Sequence, residues 1–277
     1  MIDSVVHLLR CPVCSRRLAV HEHALRCSAG HSFDIARQGY VNLLTRTPKG
    51  ANADTADMIA ARDRFLSGGH YQALAARLAG LAATAAPDDA VIIEAGAGTG
   101  YYLGEVLTAI PGARGIAADL SPVACRRAAR VSDRIGTIVA DTWAGLPIKD
   151  AAADLIMVVF APRNPGEFAR LLSPGGRLLI ATPSDDHLVE IRDRLGMIDV
   201  RPGKPAQLQQ SLRDWFAPDQ QEDLKTTLRL GSATLADLVL MGPTAHHRKD
   251  DLEQRIAALP APTAVTLSVT LSVFRRR

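Results

Sequence analysis

Aromatic residues are scarce in this 277-residue chain: two Trp, four Tyr and six Phe make up 4% of it. Its core must therefore be built mainly from aliphatic side chains and Ala, which the 47% hydrophobic content supplies. Long apolar runs are missing too. No stretch approaches the ~20 residues needed to cross a bilayer. Residues 1–10, MIDSVVHLLR, lack the basic start, the apolar run and the small-residue cleavage site of a signal peptide. The expected setting is cytoplasmic, with no membrane partner. There is no internal repeat or low-complexity tract. The net charge of +3 identifies no partner by itself, and the length suits one large domain with a small appendage.

Cysteine is limited to four residues, and three of them fall within CPVCSRRLAVHEHALRCSAGH, residues 11–31. In a secreted domain this would read as a disulfide pair; in a cytosolic one a metal site is expected. Cys11 and Cys14 form a C-x2-C knuckle, and Cys27 and His31 a C-x3-H pair. Two short-range pairs held apart by a hairpin suit one tetrahedral zinc ion in a closed, structural site. Reduced core cysteines are the bland alternative. His21 and His23 could replace His31 as ligand, although they fall in the predicted hairpin as turn residues. Cys125 reads as a small core residue of a helix. Residues 1–50 hold seven Lys or Arg against three acids, so the metal module is the basic part. That suits a polyanion such as RNA, with a solvated basic face as the alternative.

From residue 90 the pattern changes. AVIIEAGAGTGYYLGEVLTAI is a β-branched run, a glycine-rich turn and an amphipathic helix. Gly96, Gly98 and Gly100 let a ligand approach the backbone, and the helix presents its N-terminal amides. A lone G-x-G-x-G is weak, so its neighbours must carry the argument. Asp119 ends a second apolar run, where a carboxylate can accept from both ribose hydroxyls. Asp141 ends a third, where it can accept from an adenine amino group. Glu94, just before the turn, would repel a pyrophosphate. It would instead complement the ammonium and sulfonium of S-adenosylmethionine, which favours a methyltransferase over a dehydrogenase.

ADLIMVVFAP (153–162), NPGEFARLL and SPGGRLLIATP continue as strand, helix and strand. DLKTTLRL, ATLADLVLMG and AVTLSVTLSVF follow as strand, helix and a last strand in a hairpin at the sheet's edge. The expected class is α/β: a Rossmann-like, doubly wound, mostly parallel seven-stranded class I methyltransferase with a small N-terminal zinc-binding domain. The expected divisions are a zinc-binding, RNA-recognition module at 1–45, a helical linker at 46–85 and the methyltransferase domain at 86–277. The linker begins in the turn-rich segment 45–58 and carries two helices broken at Gly68-Gly69. Arg275–Arg277 reads as a solvated basic tail.

With LRCPVC, the C-x3-H closure, FDIARQGYVNLL, GHYQALAARL, EAGAGTGYYL and LMGPTAHH in this order, the chain resembles the RlmA/TlrB-type 23S rRNA guanine-N1 methyltransferases over essentially its whole length. The resemblance implies methyl transfer from S-adenosylmethionine to N1 of a guanine in hairpin 35 of 23S rRNA. EAGAGTGYYL and LMGPTAHH look more like the branch acting at nucleotide 748 than the one acting at 745, which implies a contribution to tylosin-type macrolide resistance. It also implies a homodimer around a charged cleft. Cys11, Cys14, Cys27 and His31 match the zinc ligands, residues 94–100 the cofactor loop, Asp119 the ribose acid and Asp141 the adenine position. For the transfer itself, Arg163 and Asn164 follow the fourth strand where the acceptor enters. Arg163 is placed to receive charge developing on O6, with a plain surface-loop role as the alternative. His246 and His247 are candidates to take the N1 proton. Trp143 is a candidate base-stacking platform, with packing on the adenine or in the core as the alternatives. A small-molecule methyltransferase with a zinc knob, or a non-catalytic zinc-dependent RNA-binding protein, are the rival readings; the intact turn and acids speak against the second.

Overall fold

The computed structural model describes residues 1–46, 53–197, 204–242, 244 and 251–277. Residues 47–52 of the turn-rich segment, and His246 and His247, lie outside the described residues. The chain opens with two 3-10 turns, Ile2–Ser4 and Val6–Leu8, followed by a small antiparallel sheet of β1 (Leu18–His21), β2 (Ala24–Cys27) and β3 (Ser32–Asp34). The β1–β2 hairpin turns through Glu22 and His23, between the two predicted ligand pairs. Then comes β4 (Tyr40–Asn42).

Two helices follow, α1 (Ala56–Ser67) and α2 (Gln72–Ala85), separated at Gly68-Gly69, and their buried faces pack into the core of the main sheet. The Thr55 hydroxyl caps α1 by accepting from the Met58 N–H at 3.3 Å. The strands and helices then alternate: β5 (Val91–Ala95), α3 (Tyr101–Ala109), β6 (Arg114–Asp119), α4 (Pro122–Ala128), β7 (Ile135–Val139), β8 (Ala153–Val159), α5 (Pro165–Leu171) and β9 (Leu172–Pro183). Short helices α6 (Arg192–Leu195) and α7 (Lys204–Leu212) precede β10 (Phe216–Leu230), α8 (Ser232–Leu240), α9 (Leu252–Ala257) and β11 (Thr263–Arg276). Among the described residues, no helix is long and apolar enough to cross a membrane.

The main sheet runs β10-β11-β9-β8-β5-β6-β7-β4. Six of its strands are parallel, and β10 and β11 form the antiparallel hairpin edge. It holds the seven strands expected, β5 to β11, and an eighth: β4, from the N-terminal module, adds in parallel to β7 through Tyr40–Asn42 against Thr137–Val139. Strand order reverses between β5 and β8, which makes the carboxyl ends of β5, β6, β7 and β8 the natural ligand edge. Arg275 and Arg277 are solvated, as expected, but the terminal arginines are held in or beside β11 and do not form a free tail. Arg275 pairs with Asp219 at 3.3 Å, Arg276 donates to the Leu172 carbonyl and Arg277 to that of Phe216 at 3.2 Å. Extending β11 to Arg276 brings these side chains over acceptors of neighbouring segments.

Between β7 and β8 the chain passes through residues 140–152 without a helix. The two N-terminal 3-10 turns cover that part of the sheet instead. Leu9 bridges Ile148, the Arg10 N–H donates to the Pro147 carbonyl at 2.9 Å and the Lys149 N–H to that of Leu8 at 2.9 Å. Ile2, Val5, Leu9, Cys11 and Leu25 are buried in one apolar cluster with Ile93, Ile116, Ile138 and Ile156 of the sheet. Each fully buried aliphatic among them contributes on the order of 1.5–3 kcal/mol.

The tightest contact is Val5 on Gly136: a β-carbon at 136 would lie 2.0 Å from Val5 Cγ2. Gly136→Ala should therefore lift the N-terminal segment and destabilise the chain by about 1–3 kcal/mol. Val5→Ala combined with it should cost clearly less than the sum of the two single changes, as read by urea denaturation. Strict additivity would contradict this packing.

Candidate cofactor site and metal centre

Cys11, Cys14, Cys27 and His31 converge, their ligand atoms all within 4.8 Å of one another. Cys11 Sγ lies 3.5 Å and Cys27 Sγ 3.3 Å from His31 Nδ1, and the Cys14 and Cys27 sulfurs are 3.7 Å apart. A tetrahedral zinc ion with bonds of ~2.0–2.3 Å has edges of roughly 3.5–3.8 Å, so the four atoms fit that ion closely. They are too far apart for a disulfide, whose bond is ~2.05 Å, and all four cysteines are free. Burial raises the Cys27 thiol, but the amides of Ala29 and His31, the His31 ring and Cys14 outweigh it and bring the thiol down to about 6. His21 and His23 stay exposed in the hairpin, outside the cluster. Cys125 is fully buried in α4.

The glycine turn sits at the carboxyl end of β5. Gly96 has φ +73°, and a β-carbon there would stand 2.5 Å from Ala161 Cβ. Gly98 has φ +54°, and a β-carbon there would stand 3.0 Å from Arg62 Nη1. Both positions thus favour glycine for conformation, and Gly96 requires it for space as well. The two oxygens of Asp119 are held separately: one accepts from the Gly98 N–H at 2.8 Å, the other from the Ser121 N–H at 2.8 Å. Burial raises the Asp119 carboxyl, and these two amides oppose it. Glu94 is 1% exposed and accepts from the Leu103 N–H of α3 at 3.2 Å. Burial pushes it up to about 8.

Comparison with known proteins decides between the rival readings of this geometry. Residues 9–50 match the family described as RlmA, N-terminal, a zinc ribbon. A Streptomyces fradiae protein named 23S rRNA (guanine(748)-N(1))-methyltransferase is 49% identical over 280 residues, covering 99% of both chains. The chain belongs to the 23S rRNA (guanine-N1)-methyltransferase family. A Micromonospora griseorubida protein, assigned by its name to the same activity, is 48% identical over 99% of this chain and 98% of its own. Among solved structures, a Bacillus halodurans protein assigned to the methyltransferases superposes with a TM-score of 0.52 at 15% identity, over 73% of this chain and 97% of that one. That likeness shows the fold alone.

This methyltransferase is S-adenosylmethionine-dependent, and the site fits that group. A buried carboxyl, Glu94, and a half-buried one, Asp119, face a turn whose nearby cation is already shared: Arg62 Nη1 pairs with Asp54 at 2.5 Å and Nη2 donates to the Met241 carbonyl at 2.7 Å. A cationic ligand would draw the Glu94 carboxyl toward its ionised form, whereas a pyrophosphate beside these carboxyls would be repelled. Arg62 escaped the sequence reading. It lies on α1, and no motif spacing links it to the glycines; only folding lays it against Gly98.

Asp141 accepts from the Trp143 N–H at 2.9 Å and lines a cavity of about 320 Å³ between the loop after β7 and the Cys11 knuckle. Trp143 is 64% exposed, so it does not pack in the core. Asn164 is fully engaged: its Oδ1 accepts from the Glu167 N–H at 3.3 Å, capping α5, and its Nδ2 donates to the Thr142 carbonyl at 3.1 Å. Its geometry is that of a brace between α5 and the loop after β7. Arg163 is half-buried, its guanidinium lowered by desolvation, and it forms no hydrogen bond or ion pair among the described residues.

The state of Glu94 makes stability depend on pH. Its carboxyl is protonated up to about pH 8 in the folded chain, but ionises near its ordinary 4.5 once unfolded. The folded chain binds more protons across that window, so its stability should fall as pH rises through it and level off above pH 8. Glu94→Gln keeps an acceptor for Leu103 and should make the decline shallower, as read by thermal denaturation at pH 6 and pH 8.5. An unchanged decline would contradict the buried, protonated carboxyl.

Proposed function

We propose that this chain transfers a methyl group from S-adenosylmethionine to N1 of a guanine in hairpin 35 of 23S rRNA, at the position corresponding to 748. The observation that carries this reading is the likeness over 99% of both chains to an enzyme named for that nucleotide. The placement of the basic module supports it. Arg10 and Ser15 line both the cavity beside Asp141 and a second one of about 270 Å³ that also meets Arg17 and Lys149. Arg46 adds to the first. Asp150, which pairs with Arg10, and Asp141 and Glu167 offset part of this charge; the cations that remain, Arg17, Arg46 and Lys149, suit an RNA phosphate backbone. The homodimer, the cytoplasmic setting and macrolide resistance belong to the same reading through the resemblance.

When bound, the cofactor supplies an electrophilic methyl on a sulfonium, whose carbon–sulfur bond breaks as the carbon–N1 bond forms. The chain's own residues hold the partners of that step. Asp119 and Asp141 fix the nucleoside half. The N1 proton passes to solvent water, and negative charge moves toward O6 as it does. Arg163, just past β8, is a half-buried cation without a partner among the described residues, which suits that need. Asn164 positions the loop through its cap and its bond to Thr142.

The test is incubation with S-adenosylmethionine and unmodified 23S rRNA, followed by reverse transcription, because an N1-methylated guanine cannot pair. A new stop at 748 is expected, and no new stop in hairpin 35 would overturn the reading. In the same assay Arg163→Ala should slow single turnover while RNA affinity and its salt dependence hold. Weaker binding with a flatter salt dependence would make Arg163 a phosphate contact instead.

A further inference from the structure

Phe160 violates two preferences at once. It follows the last residue of β8 with φ +53°, a left-handed conformation that costs free energy for any residue with a β-carbon. It is also 41% exposed in a chain with little aromatic content to spare. Glycine or a small polar residue would be cheaper there for folding alone. The surroundings nevertheless hold it firmly. Its N–H donates to the Ala181 carbonyl of β9 at 3.2 Å, and the next residue, Ala161, wedges against Gly96 of the cofactor turn.

The ring belongs to an aromatic row rooted in the core, between Tyr71 and His187. Phe65 meets the buried Tyr71 edge-on at 4.9 Å, Tyr71 stands 6.5 Å from Phe160, and Phe160 stands 5.9 Å from His187. A held, half-exposed ring in a strained backbone at the ligand edge is the geometry of a platform for a planar ligand.

The order of the strands indicates which ligand. With Asp141 after β7, Asp119 after β6 and the glycine turn after β5, the cofactor runs from its adenine end at β7 toward β5. Its reactive end therefore points to β8, where Phe160 stands. The exposed Trp143 lies after β7, three strand spacings or roughly 14 Å away, on the adenine side. We propose that Phe160 is the stacking platform that holds the acceptor purine at the point of methyl transfer. This rests on the guanine-N1 reading above.

The test compares Phe160→Ala, Phe160→Leu, Phe160→Tyr and Phe160→Gly on unmodified 23S rRNA, with cofactor affinity measured by calorimetry. Loss of the ring in the Ala and Leu variants should lower kcat/KM at least tenfold at unchanged cofactor affinity. Tyr should restore it to within a few-fold, because a ring stacks where an aliphatic side chain of similar bulk does not. Phe160→Gly tolerates the positive φ and should melt no lower than the Ala variant while remaining slow, which separates stacking from folding. A Leu variant as fast as the wild type overturns the inference, as does a Tyr variant as slow as Ala. If the wild type itself makes no N1-methylguanine, the guanine reading fails first and takes this one with it.

Discussion

The contact between Val5 and Gly136 is where the two halves of this molecule become one. A doubly wound sheet needs cover on both faces, and each parallel crossover ordinarily supplies it with a helix. Here the connection from β7 to β8 has none, and the N-terminal 3-10 turns lie in that place. Gly136 lets Val5 approach the sheet, Leu9 pairs with Ile148, and β4 extends the sheet beyond β7. The zinc ribbon is thereby tied to the loop that carries Asp141, and the metal centre and the cofactor edge share a single apolar cluster. The cavity beside Asp141 is a consequence of this closure, since its walls are the knuckle on one side and the loop after β7 on the other.

Electrostatics at the opposite side of the turn work by deficit. Glu94 is withdrawn from water and Asp119 half-buried, with the shared guanidinium of Arg62 nearby among the described residues, so the folded chain holds protonatable carboxyls beside the glycine turn. The amides of Gly98 and Ser121 aim the Asp119 oxygens, leaving their other lone pairs for hydroxyl donors. Past β5 the demands reverse. Past β8 stand Arg163, unpaired among the described residues, and the half-exposed ring of Phe160, which the proposed reading assigns to a base that loses a proton.

Much of this was legible in the sequence, because local chemistry dictated it. Metal ligands must recur at short spacing, so Cys11, Cys14, Cys27 and His31 announced a cluster that folding then closed. Strand-end acids and a glycine turn announced the cofactor edge for the same reason. What stayed hidden depends on contacts distant in sequence. Three residues at 40–42 carry no strand pattern of their own and become β4 only because β7 offers an open edge. Arg62 sits in an ordinary amphipathic helix, and its place over Gly98 appears only once α1 packs. Asn164 reads as an acceptor-side residue by position, and the structure adds what no spacing shows, a cap on α5 and a bond to the loop after β7. The arginines at 275–277 look like a tail until β11 runs to Arg276 beside acceptors from β9 and β10.

If the N-terminal segment is the cover of the sheet, removing the metal that organises its knuckle must be felt at the cofactor edge. The direct measurement is calorimetric unfolding of the full chain before and after zinc is stripped by a chelator, with S-adenosylmethionine affinity measured on both samples. The account predicts one cooperative transition in the zinc-loaded chain, a lower melting point without zinc and weaker cofactor binding. Two separable transitions, with cofactor affinity untouched by zinc removal, would contradict it.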